Sequence, residues 1–152
     1  MNRPATERIH TVEIPITGMS LLVPSASIAE VANVPVLTPV PFSANWLLGA
    51  LPWRQQALPV VSYEALIGQP PSTVGTGSKV VVFYPLGGRK EWEFFGLLSA
   101  FEPRPHAVDT NNSNAADPDD LPASPFIAGG IKLADRIMAI PNMDALKQAF
   151  YP

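Results

Sequence analysis

The chain has two histidines, which are candidates for acid–base chemistry, and it has no cysteine. His10 lies in the polar start of the chain, and His106 lies in a proline-flanked loop. A histidine titrates at about pH 6.5 and can serve as a general base. The polar settings of both residues favour solvated surface histidines instead. The absence of cysteine excludes disulfides, thiolate metal ligands and cysteine nucleophiles.

One acidic stretch has the spacing of a calcium-binding loop without its decisive residues. From Asp109 to Asp120, oxygen-bearing side chains occupy positions one, three, five and twelve. Such loops also need a glycine at position six and a glutamate at position twelve, where this chain has Asn114 and Asp120. The sequence also contains no Gly-x-Ser-x-Gly, phosphate-binding glycine loop or His-Glu-x-x-His. It therefore predicts no metal site, no catalytic residue and no cofactor.

Two tryptophans and an arginine are the strongest candidates for binding. Trp46 and Trp53 lie at the two ends of a mainly apolar stretch, and Arg54 follows directly. Large aromatic side chains usually fill a core, and composition alone favours that role. Tryptophan and arginine are also enriched at the energetic hot spots of protein interfaces. A protein-binding patch is therefore the second interpretation of these three residues.

Length and composition bound the fold that positions these residues. A chain of 152 residues predicts one domain, and its 47% hydrophobic content excludes an intrinsically disordered chain. Its 18 prolines disfavour long helices and favour a β-rich domain. The net charge of −3 argues against nucleic acid as a partner.

No membrane-inserting or targeting segment is expected from the sequence. The longest apolar runs, such as Val80–Phe83, are far shorter than the roughly 18 residues of a membrane span. The basic residues near the N-terminus have no apolar segment behind them. We therefore expect a cytoplasmic protein without direct membrane insertion.

Alternation of apolar and polar residues predicts pairs of strands separated by turns. In the first pair, Val12, Ile14 and Ile16 alternate with polar residues, and the pattern resumes after a Thr-Gly turn. The predicted pairs are 12–16 with 19–23, 46–53 with 57–61, and 79–85 with 92–99 around a turn at 86–89. The stretch 102–123, rich in proline, asparagine and aspartate, predicts a long flexible surface loop.

Two segments 80 residues apart resemble each other. In each, an apolar strand end leads to a helix-capping residue, Ser62 or Asn142, and then to an acid in the first helical turn. This predicts short helices at about 63–67 and 143–149. It also indicates two repeated β units, at approximately 12–68 and 78–140, with a terminal helix at 142–150. Convergent capping of two unrelated helices would produce the same pattern.

Six short segments in the first half, taken in order, resemble the CheW-like family of chemotaxis coupling proteins. They are Met19–Pro24, Ile28–Val31, Leu37–Pro41, Leu48–Arg54, Leu58–Val61 and Leu66–Gly68. The second half fits more loosely, at 80–83, 95–98 and 133–146. The resemblance implies an all-β fold of two packed, five-stranded SH3-like β-barrel halves with short helices. It covers nearly the whole chain except 102–123.

The resemblance also implies a role and partners. Members of the family are not enzymes, and they bridge the tips of methyl-accepting chemoreceptors to the regulatory domain of a CheA-type histidine kinase. Arg54 matches the arginine with which the family contacts receptors, with Glu30 as its acidic neighbour and Gly49 upstream. The residues predicted to bind partners are Glu30, Val31, Trp46, Gly49, Trp53 and Arg54.

Several positions depart from the family pattern. Gln55 replaces a glycine, Pro52 an asparagine and Ser62 an aspartate, and Ser99-Ala100 replaces Val-Asp. With the long Asn/Asp-rich loop, these departures resemble the divergent couplers of type IV pilus chemosensory systems, which control twitching motility.

Two other hypotheses stay open at this point. One is a small-ligand-binding β-barrel sensor or enzyme, with a pocket between the two halves walled by tryptophans. The other is an inhibitor or decoy that has the coupler fold but has lost one partner.

Overall fold

The computed structural model describes residues 7–34, 36–86 and 93–150. The turn predicted around 87–89 and the predicted strand start at Trp92 lie outside these residues. The strands are β1 (Ile9–Ile16), β2 (Met19–Pro24), β3 (Ile28–Asn33), β4 (Leu47–Trp53), β5 (Gln56–Val61), β6 (Lys79–Phe83), β7 (Phe95–Ser99), β8 (Arg104–Val108), β9 (Ser113–Ala115), β10 (Ile127–Leu133) and β11 (Arg136–Pro141). The helices are α1 (Tyr63–Leu66) and α2 (Met143–Phe150).

The strands form two sheets, which confirms the predicted all-β class. One sheet has six strands in the order β8-β1-β2-β11-β10-β9, and the other has five in the order β3-β6-β7-β5-β4. The sixth strand of the larger sheet is β9, which is short and lies in the segment predicted to be a loop. The resemblance to the family implied five strands in each half, and β9 is the additional strand.

The way the chain divides between the sheets differs from the predicted units 12–68 and 78–140. The hairpin β1–β2 joins β8, β9, β10 and β11, whereas β6–β7 joins β3, β4 and β5. Each sheet therefore combines the hairpin of one repeat with strands of the other. The repeats are consecutive along the chain, whereas strands pair in the way that buries their apolar faces. The boundary between the repeats therefore need not be the boundary between the sheets.

Backbone hydrogen bonds recur at the same 80-residue offset as the internal sequence repeat. The N–H of Ser62 donates to the carbonyl of Trp46 at 2.8 Å, and 80 residues later the N–H of Asn142 donates to the carbonyl of Phe126 at 2.8 Å. Both hairpins, β4–β5 and β10–β11, carry an irregularity near their first residues. Ser62 also caps α1 and Asn142 caps α2, each accepting the N–H three residues on at 3.3 and 3.1 Å. The two predicted helices are confirmed.

The core lies in three clusters, and period-two alternation assigns neighbouring residues to different ones. In β6, Val81 and Phe83 face the central cluster, to which both sheets and α2 contribute. Val80 and Val82 face a second cluster inside the five-stranded sheet. A third cluster lies within the six-stranded sheet. After Lys79, strand β6 is thus apolar because both of its faces are buried.

The predicted loop at 102–123 contains two strands, which corrects the sequence prediction. Strand β8 pairs with β1, and β9 pairs with β10 at the opposite edge of the same sheet. Between them, Asp109 Oδ1 accepts the backbone N–H groups of Asn111 and Asn112 at 2.8 and 3.0 Å. The Asp/Asn composition therefore encodes a tight turn, and the carboxylate that imitates a calcium ligand holds backbone N–H groups.

Candidate functional site

The candidate site is built on the turn between β4 and β5. Arg54 and Gln55 occupy this two-residue turn with φ of 45° and 63°. A turn with positive φ at both central residues matches the right-handed twist of paired strands, but it is costly for residues other than glycine. Pro52 precedes the turn on an edge strand, where its missing N–H is tolerated.

The guanidinium of Arg54 is exposed but braced by two neighbours. Its Nη2 lies 3.4 Å from Glu30 Oε1, and the two side chains are 59% and 42% exposed. Its Cζ lies 4.4 Å from the centre of the Trp53 ring, a cation–π distance. Glu30 belongs to β3 and Arg54 follows β4, the two edge strands of the five-stranded sheet. The sheet therefore curls until its edges meet at this ion pair.

Trp53 supports the site from below. It is only 6% exposed and belongs to the cluster inside the five-stranded sheet. Its ring centre lies 4.8 Å from that of Phe94, which comes from the other repeat. The core interpretation is thus correct for Trp53, although the ring also carries the Arg54 guanidinium.

Gly49 is required by a close backbone approach. A β-carbon at this position would lie 2.7 Å from the carbonyl oxygen of Thr38. That carbonyl accepts the N–H of Ala50 at 2.8 Å, and the N–H of Thr38 donates back to Ala50 at 2.9 Å. The absence of a side chain at Gly49 therefore lets the segment around Thr38 bond to β4. Gly49 is buried and does not itself present a contact surface.

The remaining two predicted residues lie in different places. Val31 follows Glu30 on β3 and is 38% exposed. Trp46 is partly buried, with its ring centre 5.2 Å from that of Phe150 in α2. It precedes β4, whereas Arg54 follows it, so the seven-residue strand separates the two by roughly 20 Å. The structure brings Glu30, Trp53 and Arg54 together and leaves Trp46 apart, and Val31 is adjacent to this group through its position on β3.

Two concavities bear on what could bind. Beside the Arg54 turn is an open groove of about 450 Å³. Its lining is mainly apolar: Thr38, Ala50, Leu51, Pro52, Gln55, Gln56 and Ala57. Trp46 lines a cavity of only about 150 Å³, with Val61 and Phe95 of the central cluster. Small-molecule sites usually have about 300 Å³ or more, so this cavity does not favour the ligand-binding hypothesis.

A buried ionic cluster around Glu13 was missed by the sequence analysis. Glu13 is 2% exposed and accepts hydrogen bonds from Ser20 Oγ at 2.6 Å, from Arg136 Nη1 at 2.9 Å and from Arg136 Nη2. His106 Nε2 lies 2.9 Å from the same carboxylate. The cluster joins β1, β2, β8 and β11. Alternation had grouped Glu13 with the polar residues of β1, and the position of this acid between Val12 and Ile14 was the signal that could have indicated its burial.

These contacts set the pKa of Glu13 and change the interpretation of His106. Burial alone would raise the pKa of Glu13, but hydrogen bonds from Arg136, Ser20 and His106, with the charge of Arg136, lower it from 4.5 to about 2. His106 is therefore a partner in a buried cluster and not a solvated surface residue, which corrects the prediction. His10 is exposed, as predicted. Within the described ranges, no group of three or more acidic or histidine side chains could hold a metal ion.

The described residues thus form two β-sheets that share a core, with an exposed arginine braced where two edge strands meet. The sequence profile of the CheW-like domain family matches residues 11–150, and the chain belongs to this family. The structure is similar to the crystal structure of scaffolding protein TtCheW from Thermoanaerobacter tengcongensis. The TM-score is 0.73 at 17% sequence identity, covering 90% of each chain. No curated protein matches the sequence. Over the described residues, no helix is long and apolar enough to cross a membrane.

Proposed function

We propose that this protein is a non-catalytic cytoplasmic adaptor that couples chemoreceptors to a CheA-type histidine kinase. One observation carries the proposal. Arg54 is exposed on a strained turn, is stacked on Trp53, and is paired with Glu30 through a single long contact. Membership of the CheW-like family supports the same role.

The geometry suits Arg54 to recognition. A guanidinium presents several donors in a fixed plane and can hold a carboxylate or carbonyl through two parallel hydrogen bonds. Glu30 occupies only one of these donors, at 3.4 Å. Stacking on Trp53 restricts the arginine before a partner arrives, which lowers the entropy lost on binding. An incoming acceptor would therefore meet an oriented group that still has free donors.

The surroundings supply apolar contact area for the same partner. The groove beside the turn has a mainly apolar lining, and Val31 is exposed beside Glu30 on β3. Interface hot spots combine an anchor of this kind with surrounding contacts that exclude water. We assign Glu30, Val31 and Arg54 to the contact surface, and Trp53 and Gly49 to its support.

The test measures binding and folding separately. The chain is titrated with the purified regulatory domain of a CheA-type kinase, and in parallel with a receptor-tip fragment, from the organism that encodes it. Arg54→Ala should weaken binding to at least one of them by more than tenfold, because a hot-spot arginine contributes about 2 kcal/mol or more. Arg104→Ala, an exposed arginine on the other sheet, is the matched control and should bind as the unchanged chain does.

Three outcomes have distinct meanings. Loss of folding in Arg54→Ala would make the arginine a structural strut and remove it from the site. Normal folding and binding in Arg54→Ala would show that the contact surface lies elsewhere. Failure of the unchanged chain to bind either probe would reject the adaptor role.

We further infer that the coupled system controls type IV pili and twitching motility. The support is the set of departures from the family pattern at Pro52, Gln55, Ser62 and Ser99-Ala100. Deleting the gene should shrink the twitching zone at a surface and leave flagellar swimming unchanged. A swimming defect with normal twitching would overturn this assignment.

A further inference from the structure

We propose that two copies of this chain can exchange their second repeats to form a dimer that keeps every strand pairing of the monomer. The first repeat comprises residues 9–67 and the second 79–150. The exchange surface is the set of strand edges through which each repeat completes the other. The partner is a second copy of the same chain.

The topology supplies the first argument, because neither repeat completes a sheet alone. Four ladders join the repeats: β1 with β8, β2 with β11, β3 with β6, and β5 with β7. Without the second repeat, β3 would lose its neighbour β6, and β1–β2 and β4–β5 would each remain an isolated hairpin. An isolated two-stranded hairpin is at best marginally stable in water.

The core supplies the second argument. The central cluster contains Ile14 and Val61 from the first repeat, and Val81 and Leu146 from the second. The stack of Trp53 on Phe94 beneath the candidate site also crosses between repeats. A repeat taken from another copy offers the same residues in the same register, so the apolar area buried in each half of the dimer equals that of the monomer.

The connection between the repeats supplies the third argument. The ten residues from Gln69 to Ser78 join them, and most of this linker is exposed. Its hydrogen bonds stay within it or reach the end of the first repeat: Gln69 N–H donates to the carbonyl of Glu64 at 2.9 Å, Ser72 bonds to Ser62 Oγ, and Gly75 and Ser78 bond to each other. Rerouting the linker between two copies would therefore break little else. Exchange of identical elements through such a hinge is a low-cost route to dimers.

Concentration decides between the two forms. A short flexible linker holds the second repeat near the first at an effective concentration on the order of millimolar. Refolding well below that concentration should give monomer, and refolding near it should give a substantial dimer fraction. Folded chains mixed without unfolding should not exchange, because the four joining ladders must first open.

The experiment refolds the full chain from urea at about 1 µM and at about 1 mM, bracketing the effective concentration, and measures mass by light scattering after size exclusion. Cysteines test the pairing, because the natural chain has none. Asn33 and Lys79 face each other across β3 and β6. Asn33→Cys and Lys79→Cys chains refolded together should form a disulfide between chains only if the repeats exchange.

Two controls complete the design. The double variant carrying both cysteines should form the same disulfide within one chain at low concentration. Asn33→Cys refolded with Asp135→Cys, an exposed turn position in the other sheet, should give no dimeric product above background. Only monomer at about 1 mM, or a dimer in which the 33–79 disulfide does not join the chains, would overturn the proposal.

Discussion

The hairpin turns at 54–55 and 134–135 have nearly the same backbone, and each lies beside an arginine–glutamate pair, but only one of these pairs has a buried carboxylate. Their φ angles are 45° and 63° in the first, and 47° and 66° in the second. Beside the first turn, the Arg54–Glu30 pair is exposed and spans 3.4 Å. Beside the second, Arg136 contacts the buried carboxylate of Glu13 through both terminal nitrogens. The two equivalent turns thus lie beside ion pairs that differ in the burial of the carboxylate: the side chain of Glu30 is 42% exposed and that of Glu13 only 2%.

The difference separates a contact surface from a structural support. A buried carboxylate left without its partner is strongly destabilising. The Glu13–Arg136 pair joins β1 to β11, and Ser20 and His106 connect the same carboxylate to β2 and β8. An exposed pair contributes about 0 to 1 kcal/mol, which leaves Arg54 free to engage a partner at little cost to folding.

The largest effect is expected from acid. Glu13 has a pKa of about 2 in the folded protein, so its contribution to stability is complete above about pH 4.5 and is lost as the pH falls toward 2. The contribution is about 3 kcal/mol. Urea unfolding at pH 6 and pH 2.5 should show the stability of the unchanged chain falling more than that of Glu13→Gln. Equal losses would show that Glu13 is not held as a carboxylate.

Arg136→Ala should lower the free energy of unfolding by about 2 kcal/mol, because Glu13 would remain buried with one partner fewer. Chemical denaturation at neutral pH measures the change. Arg54→Ala is the matched variant from the other turn. If both variants lose the same free energy, the contrast between the pair with the buried carboxylate and the exposed pair is wrong.

Gln55→Gly should stabilise the protein by about 0.5 to 1 kcal/mol, because glycine adopts positive φ without strain but gains freedom in the unfolded chain. Asp135→Gly at the equivalent position should gain less, since aspartate tolerates this conformation better. Thermal unfolding of both variants measures the difference. A loss of stability in Gln55→Gly would show that the glutamine side chain makes a stabilising contact.

The smallest effect is expected at the exposed pair. Arg54→Ala and Glu30→Ala should each change the free energy of unfolding by less than about 1 kcal/mol, because solvent screens the charges. The double variant should lose no more free energy of unfolding than the sum of the losses in the two single variants. Urea titration measures all three, and a coupling above 1 kcal/mol would mean that the pair helps to close the sheet.

Local chemistry was enough to predict the strand pairs β1–β2, β4–β5 and β6–β7 and both helices. Alternation of apolar residues marks β1 and β2, and the capping side chains of Ser62 and Asn142 mark the starts of α1 and α2. These features depend on neighbours a few residues apart, which the sequence displays directly. Arg54 with Glu30 came from the resemblance to the family, and the structure places the two in contact.

Long-range pairing was decided only by the tertiary structure. Glu13 and Arg136 lie 123 residues apart, and nothing between them indicates that they meet. Each sheet combines the hairpin of one repeat with strands of the other, and β8, in a predicted loop, pairs with β1. Both arrangements likewise depend on which strand edges close the apolar core. An alternating strand specifies which faces are apolar. The faces that pack together are selected by the whole chain, because burial is a collective property of all its strands.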